Sequence, residues 1–387
     1  MKITVVTTEY NPMHNGHVYH IEKTRERFPD NYIVGVMSGS FTMRGEPAVL
    51  DKFTRARLAL ENGLDAVIEL PVFSSFLCGE KFAKSSMRVA KEIQAHSVSF
   101  GSECGEISLL QEINDIILHP TEEFATSFKS NIADGKSYPR AICETVSSLY
   151  PNKPYKEVLS SPNNSLALMY LRAIQNTEIE PFTVRREDCG FHSSSPCGKL
   201  LSASGIREYL QNGKTQQLSA FLPSSVLDEL EDFDRELYTR FSTLVLFKIR
   251  MMERQEFRLL HDVSEGLENR FEKYKNEATT LNELLEKVKT KRYTLSRLKR
   301  IATYALLGVY DDTVKAFESA PFYARLLAIK KDEKDLLAHL KKCGIITCYS
   351  DIKEDISKAF WNTENAYASI HSLLLNKPIM DKNTLFI

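Results

Sequence analysis

The chain has 387 residues, 43% of them hydrophobic, with 50 basic against 51 acidic side chains. That length and apolar content support two or three domains with real cores, while the near-balance of charge excludes a generally basic nucleic-acid-binding surface, so an RNA contact has to be a local patch. No run of about 18 apolar residues is present to cross a bilayer, and the seven cysteines include no CxxC pair and read as reduced cytoplasmic thiols.

The first predicted element is a β-branched strand over Ile3 to Thr8, preceded by Lys2 and followed by polar loop chemistry, which is not the pattern of a secretory leader. It breaks into a turn rich in Asn, Pro and Gly that contains His14-Asn15-Gly16-His17, and a helix starts near Asn15. A strand, such a turn and a helix N-terminus hold a nucleotide's phosphates against backbone N–H groups, here with imidazoles alongside. That predicts ATP chemistry at the α-phosphate, with Thr7, Thr8, Glu9, Tyr10, Asn11, Pro12, Met13, His14, Asn15, Gly16, His17, Val18, Tyr19 and His20 as the ATP-binding loop. An α-phosphoryl group under attack gathers negative charge on its equatorial oxygens, and pre-aimed imidazole donors stabilise it. His14 and His17 are therefore the catalytic candidates; the bland alternative is a helix start whose histidines only cap or pack. Gly16 lets the nucleotide approach the backbone. His20, on the same helical face as His17, either packs or contacts ligand.

Further strands are predicted at Tyr32 to Met37, Ala66 to Leu70, Ser97 to Gly101 and Phe182 to Arg186, with helical patterns starting near Asp51, Ser74 and Asn163. This alternation predicts a doubly wound parallel sheet whose ligands gather at the carboxyl ends of its strands. Asp51 is placed to cap a helix carrying Phe53, Ala56, Leu58, Ala59 and Leu60, with Lys52, Arg55 and Arg57 as a solvated face or part of a site. The neighbouring Arg44-Gly45-Glu46-Pro47 loop is positioned to close on a ligand. Gly101 offers bare backbone to an adenine or ribose, or is a simple turn glycine. Asn163 or Asn164 caps the helix that follows, and an arginine at the end of Phe182 to Arg186 suits a phosphate or a base. Cys189, His192 and Cys197 are spaced like part of a metal clip, but a fourth ligand is missing, and no metal site is expected.

Beyond about residue 215 the pattern changes to long amphipathic helices, predicting a helical domain. Its distinctive stretch is Lys287 to Arg300, with seven basic residues among fourteen and no acid; Tyr293 interrupts it and is available to stack on an unpaired base. Such a run is either a solvated helix face or an RNA contact. The last seventy or so residues return to mixed structure, with strands expected at Tyr323 to Ile329 and Gly344 to Tyr349, a helix at Lys331 to Lys342, and Phe360 and Trp361 in a core. The expected domains are 1–215, 216–310 and 311–387.

Several further stretches lie in order along the chain: Val36-Met37-Ser38-Gly39-Ser40-Phe41, Arg44-Gly45-Glu46-Pro47-Ala48-Val49, Val67-Ile68-Glu69-Leu70-Pro71, Phe100-Gly101-Ser102-Glu103, Ser161-Pro162-Asn163-Asn164 and Leu201-Ser202-Ala203-Ser204-Gly205-Ile206-Arg207. With the His14-to-His17 turn they make the chain resemble the HIGH-signature nucleotidyltransferases, and more closely the tRNA(Met) cytidine acetate ligases. The resemblance implies a Rossmann-like catalytic domain followed by a helical domain and a small α/β C-terminal region. It adds nucleotide-binding roles for Gly101, Asn163 and Arg186. It also implies roles for Ser202 and Arg207, in a second signature whose serine caps a helix and whose arginine reaches pyrophosphate. The family commonly has a bulkier residue where this chain has Gly205. The same resemblance implies a tRNA-binding helix carrying Lys289, Lys291, Arg292, Arg297, Lys299 and Arg300.

The implied reaction is ATP-dependent acetylation of N4 of the wobble cytidine of elongator tRNA(Met), through acetyl-adenylate. Its partners are tRNA(Met), ATP and acetate, with Mg²⁺ on the triphosphate and Glu9, Glu69 and Glu103 as speculative ligands; no membrane and no obligate protein partner are expected. An adenylyltransferase that makes a dinucleotide-type cofactor keeps the same loop without needing the basic stretch. A catalytically silent RNA-binding module is the third reading.

Overall fold

The computed structural model describes residues 1–186, 201–290, 292–378 and 383–387. Lys291 and the proposed Cys189, His192 and Cys197 clip lie outside the described residues. Five parallel strands form the sheet's main part: β1 (Ile3–Thr8), β2 (Tyr32–Ser38), β3 (Ala66–Leu70), β4 (Ser97–Ser102) and β5 (Glu180–Arg185). They run in the spatial order β5-β4-β1-β2-β3, so the chain reverses direction across the sheet between β1 and β4. That is the switch point where a doubly wound sheet opens a crevice at its carboxyl edge.

Side chains alternate along these strands between the two faces. Val5, Val34, Val36 and Ile68 join one apolar cluster with Phe82, Leu168 and Leu340. Val6, Ile33, Met37 and Val67 join another that runs on without a break to Leu230, Phe241, Leu284, Ile301 and Trp361. The second core therefore cements the sheet to the helices after residue 215. Of the basic residues on helix Lys52–Glu61 read as a solvated face or part of a site, Lys52 and Arg55 are buried, so the solvated face does not hold for them. Asp51 does cap that helix, accepting from the N–H groups of Phe53 at 2.9 Å and Thr54 at 3.0 Å.

The C-terminal residues extend the same sheet. Strand β6 (Arg325–Ile329) lies antiparallel to β3, with Ala66 opposite Ile329, and β7 (Leu385–Phe386) lies beside β6. The strand expected at Gly344 to Tyr349 does not form. Only Ile346 pairs with β6, since Leu385 and Phe386 take the next places on its edge. The expected helix starting near Ser74 is a short turn, Val72–Ser75, and a separate helix, Gly79–Glu92. Among the described residues no helix is long and apolar enough to cross a membrane.

Candidate active site

A cleft of about 780 Å³ lies at the carboxyl edge of β1 and β4. Thr7, Thr8, Glu9, Tyr10, Asn11, His14, Asn15, Gly16, His17, Tyr19, His20, Gly101, Asn163, Arg186, Ser202 and Arg207 all line it, brought together from segments up to two hundred residues apart. Three expected loop residues do not. Met13 is buried in the core, Val18 packs against that core, and Pro12 is buried away from the cleft.

His14 is the N-cap of helix Asn15–Arg27, and its Nδ1 accepts the N–H of Gly16 at 3.1 Å. His17 reciprocates, its Nδ1 accepting the N–H of His14 at 3.2 Å, and the two rings stack with centroids 3.7 Å apart. A ring nitrogen that accepts an N–H carries no proton, so in each neutral ring the hydrogen sits on Nε2. Burial first, and then the repulsion from a protonated His14, from Arg186 and from a protonated His20, hold the His17 imidazole well below its ordinary range. Burial and Arg186 likewise push His20 down to about 4; its Nε2 is 2.9 Å from Ser99 Oγ. His17 and His20 thus act as neutral hydrogen-bonding groups rather than imidazolium charges.

The expected cradle of backbone N–H groups is largely closed. Asn15 N–H donates to Phe221 O at 3.0 Å, Gly16 N–H to His14 Nδ1, and His17 N–H to His14 O at 2.8 Å. Those three amides are therefore already engaged, and an anion at this helix start is left the helix dipole and the side chains around it.

The cleft's cations come from separate elements. Arg207, on helix Ala203–Gln211, donates from Nη1 to Asn11 O at 2.8 Å, and its Nη2 lies 3.5 Å from Glu46 Oε2. Ser202 caps that helix by accepting the N–H of Gly205 at 3.1 Å. A Cβ at Gly205 would sit 2.7 Å from Leu201 Cδ1, so glycine leaves room for that leucine and the helix is regular. Arg44 also lines the cleft. Its guanidinium is held below the ordinary arginine range by burial, against the opposing pull of Glu9. Glu9 accepts the Met43 N–H at 2.7 Å, and burial raises its carboxyl despite that bond and the neighbouring arginines. Arg55, buried beneath, donates to the carbonyls of Glu9 at 2.7 Å, Ser38 at 3.2 Å and Gly39, tying together the ends of β1 and β2.

At Gly101 the bare backbone faces a protein side chain rather than open space: a Cβ there would lie 3.2 Å from Arg186 Cγ. Arg185 lines the cleft too, but its stem packs over Gly105. Of the paired asparagines, Asn163 lines the cleft, whereas Asn164 is 1% exposed and bonded to Cys104 N and Val158 O. Neither is the helix cap. The cap acceptor is Glu103, which takes the N–H groups of Asn163 at 3.1 Å and Asn164 at 2.8 Å. Glu69 is closed by Lys52 at 2.7 Å with both side chains buried. Glu69 and Glu103 are therefore engaged elsewhere, and no group of three or more His, Cys, Asp or Glu side chains suited to a metal occurs among the described residues.

Apolar wall residues escaped the sequence reading. Phe82, Phe100, Leu166, Met169 and Tyr170 line the cleft, with Thr7 Oγ1 donating to Tyr170 Oη at 2.9 Å. Leu166 and Tyr170 carry a helical period, which signals burial without saying that part of the buried face is a cleft wall.

The basic stretch is not one helix. Leu281–Val288 ends, a turn follows, and Leu295–Leu307 begins with Thr294 accepting the Arg297 N–H at 3.3 Å. Tyr293 is buried and donates to Glu265 O at 3.1 Å, so it does not offer its ring for stacking. Lys289 and Arg292 are exposed. Arg297 donates to Asp262 O and Ser264 Oγ, both at 2.8 Å, Lys299 pairs with Glu46 at 2.5 Å, and Arg300 is half-buried.

The family model described as HIGH Nucleotidyl Transferase matches residues 1–384. The tRNA(Met) cytidine acetate ligase of Acetivibrio thermocellus is 35% identical over 361 residues, covering 88% of this chain and 86% of that protein. The chain belongs to the tRNA(Met) cytidine acetate ligase family of HIGH nucleotidyltransferases. A second member, from Thermoanaerobacter sp. (strain X514), is 32% identical over 380 residues, covering 95% of this chain and 94% of the relative. Among solved structures, apo Thermotoga maritima TmcAL is similar at TM-score 0.89 and 27% identity over the whole of both chains. The same enzyme bound with alpha-thio ATP gives 0.85 at 28% identity, over 97% of this chain and 95% of that one.

Proposed function

We propose that this chain activates acetate with ATP and transfers the acetyl group to N4 of the wobble cytidine of elongator tRNA(Met). The observation that carries the reading is the stacked His14–His17 pair, with both Nδ1 atoms satisfied by backbone N–H groups, inside a cleft that also gathers Arg44, Arg186 and Arg207. Family membership supports the same reaction.

Acetate is inert toward amines, and the N4 lone pair of cytosine is delocalised into its ring, so the acid has to be activated first. A carboxylate oxygen of acetate attacks the α-phosphorus, the bond to the bridging oxygen breaks, and pyrophosphate leaves with that electron pair. His14 and His17 donate from Nε2 to the α-phosphoryl oxygens as charge builds there. Neutral donors suit this role, because they stabilise charge without losing a proton at working pH. Arg207 forks onto the departing pyrophosphate, and Arg186 and Arg44 offset the remaining charge. Phe82, Leu166, Met169 and Tyr170 form the apolar side against which the adenine lies. Cytidine N4 then attacks the acetyl carbonyl, its proton is lost, and AMP leaves. An unpaired wobble base is extruded at less cost than a duplex base. Mg²⁺ accompanying the nucleotide would supply charge neutralisation at the triphosphate; among the described residues no group of three or more His, Cys, Asp or Glu side chains would hold it. The reading places the enzyme in the cytoplasm, with ATP and tRNA.

The test is incubation with ATP and radiolabelled acetate, with and without elongator tRNA(Met). Label on the tRNA is the expected result. Transfer of AMP to a small phosphate ester instead marks a cofactor-forming adenylyltransferase, and neither product marks a silent RNA-binding module.

A further inference from the structure

The turn Thr42 to Ala48 joins the cleft to helix Leu295–Leu307. It is a tight reversal, with Thr42 N–H bonded to Glu46 O at 3.0 Å and Gly45 at its tip at φ +74°, a left-handed conformation that favours glycine. The tip rests on the helix backbone. A Cβ on Gly45 would lie 2.7 Å from Arg300 N, and Thr303 Oγ1 donates to Gly45 O at 2.8 Å. Next to the tip, the Glu46 carboxylate divides its oxygens: Oε1 meets Lys299 Nζ at 2.5 Å, and Oε2 faces Arg207 Nη2 at 3.5 Å. On the cleft side the turn is held by Met43 N–H to Glu9, with Arg44 beside it.

We infer that helix Leu295–Leu307 meets RNA through Lys299 and that Glu46 is a positioning residue coupling it to the triphosphate site, so that RNA is gripped more firmly once pyrophosphate has left. This rests on the acetate-ligase reading above. One carboxylate serves two cations that two different polyanions also seek. While a triphosphate is bound, Arg207 turns toward its β- and γ-phosphates and Glu46 is left to Lys299, which is then occupied. When pyrophosphate departs, Arg207 returns to Glu46 and the hold on Lys299 slackens, freeing it for an RNA phosphate. The environment agrees: burial alone would raise the Glu46 carboxyl, but Arg207, Lys299 and Arg44 outweigh it and hold it below the usual range. RNA engagement is thereby ordered after adenylation.

The experiment measures the affinity of the full chain for unmodified elongator tRNA(Met) with saturating AMP and with saturating α,β-methylene ATP. Wild type is expected to bind the RNA about fivefold or more tightly with AMP, the lower end of usual coupling between sites. In Glu46→Gln that ratio falls to about twofold or less, since only direct repulsion between nucleotide and RNA phosphates survives. Lys299→Met shrinks the ratio from the other end of the bridge, and it decides the matter should Glu46→Gln not fold. Equal wild-type affinities, or a full ratio retained in the folded variants, overturn the inference while leaving the acetate-ligase reading intact. RNA that binds in neither nucleotide state overturns the functional reading, and the coupling with it.

Discussion

The histidine turn and the basic stretch are both short sequence signals, and the fold treats them differently. In the turn, residues three apart complete one another: His14 caps the helix and His17 caps His14, so the chemistry-bearing side chains are fixed by their neighbours in sequence. In Lys287 to Arg300, two helices and a turn share the charge, and Arg297 and Lys299 are bonded to residues far away in the chain. Local reciprocity makes a motif readable, whereas a charge count does not say where each charge ends up.

The largest effect expected is on the turn. His17→Ala should slow acetyl-adenylate formation by about 10² to 10³, the usual cost of one transition-state donor, while leaving tRNA affinity unchanged. An equal loss of both would erase the distinction between the two regions. Arg207→Lys keeps the charge but loses the planar fork; about 1.5–3 kcal/mol, the range for a hydrogen bond to a charged group, should appear as weaker ATP binding and slower adenylation.

Within the basic stretch, exposed and internal cations should separate. Lys289→Ala and Arg292→Ala should each flatten the salt dependence of tRNA binding by about 0.7–0.9 in log–log slope, with little change in thermal midpoint. Arg297→Ala should instead lower the midpoint, because Asp262 O and Ser264 lose a donor. A reversed pattern, with Arg297 setting the salt slope, would return to Arg297 the RNA-binding role that the family resemblance implied.

The smallest effect is a lack of titration. With His17 held well below its ordinary range and His20 at about 4, neither of these two rings should give the rate of acetyl-adenylate formation a rise between about pH 6 and 8, as an imidazole titrating near 6.5 would. A buried group behind the cleft gives a contrasting case. Burial, and then Glu69, push the Glu364 carboxyl up to about 7, where it accepts from Tyr323 at 3.0 Å. A carboxyl raised on folding contributes stability that is complete below its unfolded value, near 4.5, and lost as pH climbs through about 7. Glu364→Gln should therefore raise the thermal midpoint at pH 8 relative to wild type, and do so less at pH 5.

Most of the sheet was legible because buried parallel strands are apolar runs with sharp ends, and all five of them start within two residues of expectation. The failed strand at Gly344 to Tyr349 has an apolar run too, but whether it pairs depends on β7, some forty residues later. At the site, the capping histidines and Ser202 were readable for the same local reason. The occupied backbone amides were not, since Asn15 finds its acceptor at Phe221. Nor was the split between Asn163 and Asn164, which Glu103 and Cys104 decide from a neighbouring strand end.

The central claim is that the two imidazoles at the end of β1 hold the phosphates of ATP for attack by a carboxylate. A crystal structure of this chain with a non-hydrolysable ATP analogue tests it most directly. Nε2 of both His14 and His17 within hydrogen-bonding distance of the phosphate oxygens, and the purine against Phe82 and Tyr170, is the predicted result; phosphates seated away from both rings would contradict it.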